Sequence, residues 1–165
     1  MAANDIVIRQ ATADDDGALS DLEFRCWTPI ADVMPRPEKP RSPYFEDGRL
    51  SPDQVLVAER DGTVVGLLIL RPPTPVPSNQ HVLQIQGLSV HPDARGAGIG
   101  LALVEAAAPL ARSRGARKLT LRVLATNTPA RRLYDRAGYH TEGTLGEEFL
   151  IEDRYVDDIL MARPL

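Results

Sequence analysis

A single cysteine, Cys26, has no partner for an internal disulfide, and without a cysteine cluster the commonest zinc sites are excluded. An excess of positive charge is also missing: 19 Lys and Arg stand against 23 Asp and Glu, a formal net charge of −4 at pH 7. That balance argues against non-specific nucleic-acid binding, which depends on basic residues. No apolar run is long enough to span a bilayer, and Met1-Ala2-Ala3-Asn4-Asp5 lacks the pattern of a secretory leader. A cytoplasmic location follows as the default expectation. Internal repeats and low-complexity tails are missing too. What is present is ordinary for a globular chain: 165 residues, 43% apolar and 25% charged. That length suits one domain, residues 1–165, around a single core. Cys26 lies between Arg25 and Trp27, which supply no base, so a packing role is expected for it.

The hydrophobic pattern predicts an alternating α/β chain. Asp5 to Gln10 alternates as a strand, and Thr12 to Arg25 reads as a helix whose first turn carries Asp14, Asp15 and Asp16. Six prolines between residues 28 and 52 (Pro29, Pro35, Pro37, Pro40, Pro43 and Pro52) predict a short helix and a long loop. Gln54–Arg60 and Thr63–Leu70 form a hairpin closed by Asp61-Gly62. Residues 71–77 hold four prolines and read as a stiff connector. His81–Val90 is the next strand. A helix from Gly98 to Arg114 follows, with Ile99, Leu103, Ala106 and Leu110 on its apolar face and Gly115 as its stop. Pro109 should bend that helix or break its ladder. Lys118–Ala125 alternates as a strand. Thr128 can cap a further helix, with Pro129 at its first position and Gly138 at its end. Two closing strands, Tyr139–Phe149 and Arg154–Met161, flank a Glu152-Asp153 turn. The sum is a mixed α/β domain with a mostly antiparallel central sheet flanked by helices.

One stretch carries chemistry. Arg95-Gly96-Ala97-Gly98-Ile99-Gly100 lies between a strand and a helix start. Its glycines let backbone approach a ligand closely, and the helix start leaves N–H groups unpaired. With the helix dipole and Arg95 they suit a phosphate-bearing ligand. A P-loop would need Lys and Ser/Thr after the last glycine, where Leu101 and Ala102 stand. A dinucleotide fingerprint would need glycine at Leu101.

The pattern Arg-x-x-Gly-x-Gly at residues 95–100 resembles the acetyl-CoA loop of the GNAT family of N-acetyltransferases. Its approach, Leu88-Ser89-Val90-His91-Pro92, is similar to that family as well. So is Asn127-Thr128-Pro129-Ala130-Arg131-Arg132-Leu133-Tyr134-Asp135-Arg136-Ala137-Gly138-Tyr139, with Asn before a helix, Leu-Tyr within it and Gly-aromatic after it. The resemblance implies the acetyltransferase fold and an acetyl-CoA-dependent N-acetyltransferase that needs no metal. It implies cofactor binding by Leu88, Ser89, Val90, Arg95, Gly96, Ala97, Gly98, Ile99, Gly100, Asn127, Ala130 and Tyr134. Main-chain groups of Leu88 and Val90 would pair with pantetheine as an added strand does. A nearby amide would polarise the thioester carbonyl. A glycine in a strand marks a bulge or a close approach, and Gly87 could serve either use.

The same resemblance implies that Tyr134 is catalytic and protonates the departing CoA thiolate. Periodicity alone allows it to be a core tyrosine, on a face with Ala130, Leu133 and Ala137. Asn127 would bond a pantetheine amide; as a bare residue it also suits a turn or cap. Many relatives place Glu or His where Gln84 and Gln86 stand here, and glutamine does not titrate. Glu59, His81, Glu147, Glu148 or a water chain remain as routes for the amine proton. The resemblance implies as acceptor a primary amine of a small molecule, amino acid or peptide. The acidic residues of the C-terminal portion, from Glu142 to Asp158, would favour a cationic amine. Arg36, Lys39, Arg41 and Arg49 would instead suit an acceptor carboxylate. Neither a nucleic acid nor a membrane is expected as a partner, and a homodimer is left open. A non-catalytic sensor of acyl-CoA is the reading from a different class.

Overall fold

The structure, a computed structural model, describes residues 6–46 and 48–165. Asp5, the first residue of the expected opening strand, lies outside the described residues. Seven strands form one sheet in the order β1-β2-β3-β4-β5-β7-β6. They are β1 (Ile6–Gln10), β2 (Val55–Arg60), β3 (Thr63–Arg71), β4 (Val82–Val90), β5 (Lys118–Leu124), β6 (His140–Ile151) and β7 (Arg154–Pro164). The helices are α1 (Asp16–Cys26), α2 (Ile99–Ser113) and α3 (Thr128–Arg136). This is the mixed, mostly antiparallel α/β order that the sequence pattern implies. The chain divides into two compact units. One holds the residues up to Cys26, Pro37–Leu70 and Gly87–Ala107; the other holds Trp27–Arg36, Arg71–Gln86 and Ala108–Leu165.

In the first unit, β1 and β2 pair antiparallel from Ile6↔Arg60 to Gln10↔Leu56. The β2–β3 hairpin turns through Asp61 and Gly62, at φ 51° and 74°. Those angles suit the right-handed twist of a two-residue turn. Leu19 and Leu22 of α1 are buried with Tyr44, Val55, Val57 and Leu67. Arg9 donates to both oxygens of Asp15 at 2.8 and 2.9 Å and to Glu59 at 3.0 Å. Gly66 on β3 has a reason to be glycine: a Cβ there would meet Leu103 Cδ1 at 3.0 Å and Ile99 Cγ2 at 3.1 Å. The missing side chain lets the first half of α2 sit against the strand. Between residues 28 and 52 turns and bends replace the expected short helix, and the only pairing described is an isolated bridge, Glu46↔Leu50. Prolines at this density remove too many amide donors for a ladder to propagate.

In the second unit, β4 and β5 pair in parallel from Val82↔Lys118 to Ile85↔Leu121. β5 then pairs antiparallel with β7 over its whole length. The last turn of α2 closes on Gly115, at φ 82°. The Gly115 amide donates to Arg112 O at 2.9 Å and the Ala116 amide to Ala111 O at 3.0 Å. These are the two bonds of a glycine-terminated helix end. Pro109 does not break the helix, which runs on to Ser113. Pro109 is exposed, so the missing amide lies on the solvent side. Ile99 and Leu103 of α2 are buried as expected, but further along Val104, Ala107 and Ala111 are buried while Ala106 and Leu110 are only half-buried. The β6–β7 hairpin turns at Glu152 and Asp153, at φ 48° and 61°.

Candidate active site

The glycine-rich loop begins where β4 ends. The His91 amide donates to Val65 O at 2.8 Å and so ties that end to β3. A 3₁₀ turn at Pro92–Ala94 follows, with Ala94 buried. Gly96 and Gly98 both adopt positive φ, 82° and 78°. Ile99 is buried and fixes the first turn of α2. The first ladder bond runs from the Ala102 amide to Gly98 O at 3.0 Å. The amides of Ile99, Gly100 and Leu101 therefore precede the helix ladder and carry the positive end of its dipole. A Cβ built at Gly96 or Gly98 meets nothing within 4 Å, so both residues border open space. The loop is glycine for its backbone angles, and a diphosphate has room to approach its amides.

Arg95 is placed differently from a free phosphate clamp. Its Nε donates to Val90 O at 3.1 Å, which anchors the side chain to the end of β4. Only the two terminal nitrogens are left for an anion. The Cys26 thiol shares that carbonyl at 3.4 Å, and Cys26 is buried. The β4–β5 ladder ends at Ile85↔Leu121, whereas β4 continues through Leu88 and Ser89 to Val90. Gly87 faces β3 closely: a Cβ would lie 3.0 Å from Ile69 Cδ1.

Asn127 is the N-cap of α3, its Oδ1 accepting from the Ala130 amide at 3.3 Å. By residue type either Asn127 or Thr128 could cap; Thr128 instead occupies the first helical position and Pro129 the second. Capping consumes the Asn127 oxygen and leaves its amide nitrogen for a ligand carbonyl. Tyr134 is buried, with its ring edge-on to Tyr139 at 5.9 Å between centroids. Burial, with Tyr139 beside it, raises the Tyr134 phenol above its ordinary value. Tyr134 therefore stays protonated at any working pH, as a hydrogen-bond donor must. Ala130 and Leu133 are half-buried and Ala137 is buried, so the expected face is the inward one.

The expected bases fare unequally. Glu59 is held by Arg9. Glu148 lies 3.8 Å from Arg122, and Arg122 also pairs with the buried Asp158. His81 is exposed. Gln86 Nε2 donates to Gln84 Oε1 at 3.3 Å, so the two glutamines satisfy each other. Sequence reasoning missed Asp32. It lines an open pocket of about 340 Å³ together with Trp27, Met34, Leu150 and Glu152. Asp32 accepts from the Thr28 amide at 2.9 Å. Burial pushes its carboxyl above the ordinary value, with the Thr28 bond opposing.

Residues 18–139 match the Acetyltransferase (GNAT) family, which spans both motif blocks. The chain belongs to the GNAT acetyltransferases. Among curated relatives it is 32% identical over 139 residues to an uncharacterized N-acetyltransferase, YhfO, of Bacillus subtilis, covering 82% of this chain and 90% of that one. It is 34% identical over 123 residues to a mycothiol acetyltransferase of Sanguibacter keddieii, covering 74% of this chain but only 33% of that protein. This GNAT chain thus spans about a third of the latter's length. A GNAT superfamily phosphinothricin acetyltransferase from Sinorhizobium meliloti, solved in complex with acetyl-CoA, superposes with a TM-score of 0.83 at 21% identity, over 97% of this chain and 88% of that one. That likeness establishes the fold. By family, then, the chain is a GNAT-type acetyltransferase. Among the described residues no helix is long and apolar enough to cross a membrane.

Proposed function

We propose that this GNAT enzyme transfers the acetyl group of acetyl-CoA to the nitrogen of a primary amine by direct attack, with both substrates bound. The carrying observation is the loop at the start of α2. Its free amides, two positive-φ glycines and open surroundings fit a diphosphate. Acetyl-CoA supplies the activated acyl group; the residues of the chain bind, orient and exchange protons around it. Amides of Gly96 to Gly100 and the terminal nitrogens of Arg95 hold the diphosphate. Main-chain groups from Leu88 to the Val90 amide, which β5 does not use, pair with the pantetheine arm; the Val90 carbonyl is already taken by Arg95 and Cys26. An amide near Leu88 steadies the negative charge that develops on the thioester oxygen. The Asn127 side-chain nitrogen donates to a pantetheine carbonyl, and Ala130 packs beside it.

Tyr134 gives its hydroxyl proton to the departing thiolate. Its raised pKa makes this transfer more uphill than an exposed tyrosine's would be, since a free thiol sits near ~8.5. The hydroxyl must therefore act by position, strengthening its bond to sulfur as charge appears there. Direct attack is favoured because Cys26, the sole thiol, is buried against the Val90 carbonyl and packs as a core residue. Gln84 and Gln86 do not titrate, so the amine proton leaves by another route, through water or a carboxylate of the acceptor pocket. We place the acceptor in the pocket of Trp27 and Asp32. We read residues 1–165 as a single N-acetyltransferase domain, since the family match crosses both compact units. A cytoplasmic location suits the free cysteine.

The test is acetyl transfer to a pooled library of primary amines, read by mass spectrometry. An N-acetylated amine, with no acetylated protein accumulating, is the expected result. Acetyl-CoA bound but untouched by every amine would favour the sensor reading instead.

A further inference from the structure

Charge alone left the acceptor ambiguous: acidic residues in the C-terminal portion favoured a cation, basic residues in the early loop a carboxylate. The structure accounts for most of both sets. Glu142 is paired with Lys118 at 2.7 Å, and Glu148 lies beside Arg122. Asp157 accepts from the Glu147 amide at 2.8 Å. On the basic side, Arg49 is bound to Glu46 and Arg41 lies 3.8 Å from Glu23. The pocket draws only Asp32 and Glu152 from the acids and Arg36 from the bases. Arg36 has an interaction of its own and is not a free cation.

The rest of the pocket wall is apolar. Trp27, Val33, Met34, Leu150 and Ile151 contribute to it. Met34 and Leu150 are 70% and 61% exposed, and with Val33 they bring exposed apolar surface together at one pocket. The geometry is held in place. Trp27 Nε1 donates to Met34 O at 2.9 Å across the loop. The Glu152-Asp153 turn fixes the tip of the β6–β7 hairpin. Thr126 Oγ1 donates to Ile30 O at 3.1 Å, so the loop is fastened to the turn that enters α3, the helix of Tyr134.

Among the described residues no ion pair is made by Asp32, a half-buried carboxylate in a largely apolar pocket. We propose that Asp32 pairs with the ammonium group of the acceptor, and that the acceptor is a primary amine on a compact apolar body, aromatic or branched, with no carboxylate beside the nitrogen. This rests on the acetyltransferase reading above and names its substrate class. The pocket volume suits a body of that size. Two carboxylates against the single guanidinium of Arg36 leave the lining net negative, which disfavours amino acids, whose own carboxylate would be repelled. Asp32 is in effect desolvated in advance, and the incoming cation restores the interactions that burial removed, which agrees with its raised carboxyl.

Trp27 is the chain's only tryptophan, so its emission reports this pocket without a label. The experiment titrates 2-phenylethylamine and, separately, phenylalanine into the protein saturated with coenzyme A, following that emission. Saturable binding of the amine, with phenylalanine roughly tenfold weaker or worse, is expected. Asp32→Asn keeps an oxygen for the Thr28 amide, so the loop should hold its shape. It should weaken amine binding roughly tenfold and leave coenzyme A affinity unchanged. Glu152→Gln should weaken it less. Equal binding by wild type and Asp32→Asn, equal binding of amine and amino acid, or no emission change at all each overturn the proposal. A parallel acetylation assay separates the two readings. Amine binding through Asp32 without transfer would refute the acetyltransferase reading alone. Transfer with no dependence on Asp32 would refute only the acceptor assignment.

Discussion

The Thr126 hydroxyl donates to the Ile30 carbonyl at 3.1 Å, joining residues 96 positions apart in the chain. One end is the proline-rich loop that carries Trp27 and Asp32. The other is the turn before Asn127, the cap of the Tyr134 helix. An exposed neutral bond of this kind contributes only about 0.5–1.5 kcal/mol to stability. Its consequence should be positional. Thr126→Val should raise the KM for the amine several-fold while the KM for acetyl-CoA and the melting temperature stay nearly constant. Steady-state kinetics with each substrate varied in turn checks this.

Gly98 adopts φ 78° with open space around it, so alanine there is opposed by backbone conformation and not by a clash. Holding an L-residue in that region costs about 1–2 kcal/mol. The loop should relax to avoid it and turn its amides away from the diphosphate. Gly98→Ala should weaken acetyl-CoA binding roughly tenfold, with a small drop in melting temperature. Calorimetric titration beside a thermal melt reads both effects.

Tyr134→Phe removes a hydroxyl and keeps the ring packed on Tyr139. kcat should fall by about 10²–10⁴-fold, the range for proton transfer to a leaving group, with acetyl-CoA affinity unchanged. The phenol is raised by burial, so its ionisation cannot produce an alkaline fall in kcat below pH ~10. Any fall seen there should persist in the variant. An unchanged kcat would make Tyr134 a core residue only.

Burial raises the phenols of Tyr44 and Tyr134 and pushes Tyr139 up to about 12. In the unfolded chain each begins to ionise near ~10. Above that pH the unfolded state has lost protons that the native state still holds, so stability must fall as pH rises from there. The Tyr139 hydroxyl is buried without a partner among the described residues. Tyr139→Phe should therefore be neutral or stabilising at pH 7 and should flatten the decline between pH ~10 and 12. Denaturant melts across that range measure the slope.

Much of this was readable in the sequence because it is local. Asp61-Gly62, Gly115 and Gly138 each mark a turn or helix end by demanding a positive φ, and all three adopt it. The strand alternation of Leu119, Leu121 and Val123 is the buried face of β5. The glycine loop and the Leu133-Tyr134 block were legible because their spacing carries chemistry. What escaped depended on tertiary contacts. On α2 the helical period placed Ile99 and Leu103 inward correctly, but it did not show that burial passes to Val104, Ala107 and Ala111 in place of Ala106 and Leu110. Asn127 and Thr128 are both good caps by residue type, and only the position of the first turn decides between them. Asp32 stands in a loop without periodicity; its meaning comes from Leu150 and Glu152, which meet it only in the folded chain.

The most direct measurement compares coenzyme A with pantetheine, which lacks the diphosphate and nucleotide, by calorimetric titration of the purified protein. If the amides at the start of α2 hold the diphosphate, coenzyme A binds saturably and pantetheine does so far more weakly. Equal affinity for the two, or no binding of either, contradicts the account.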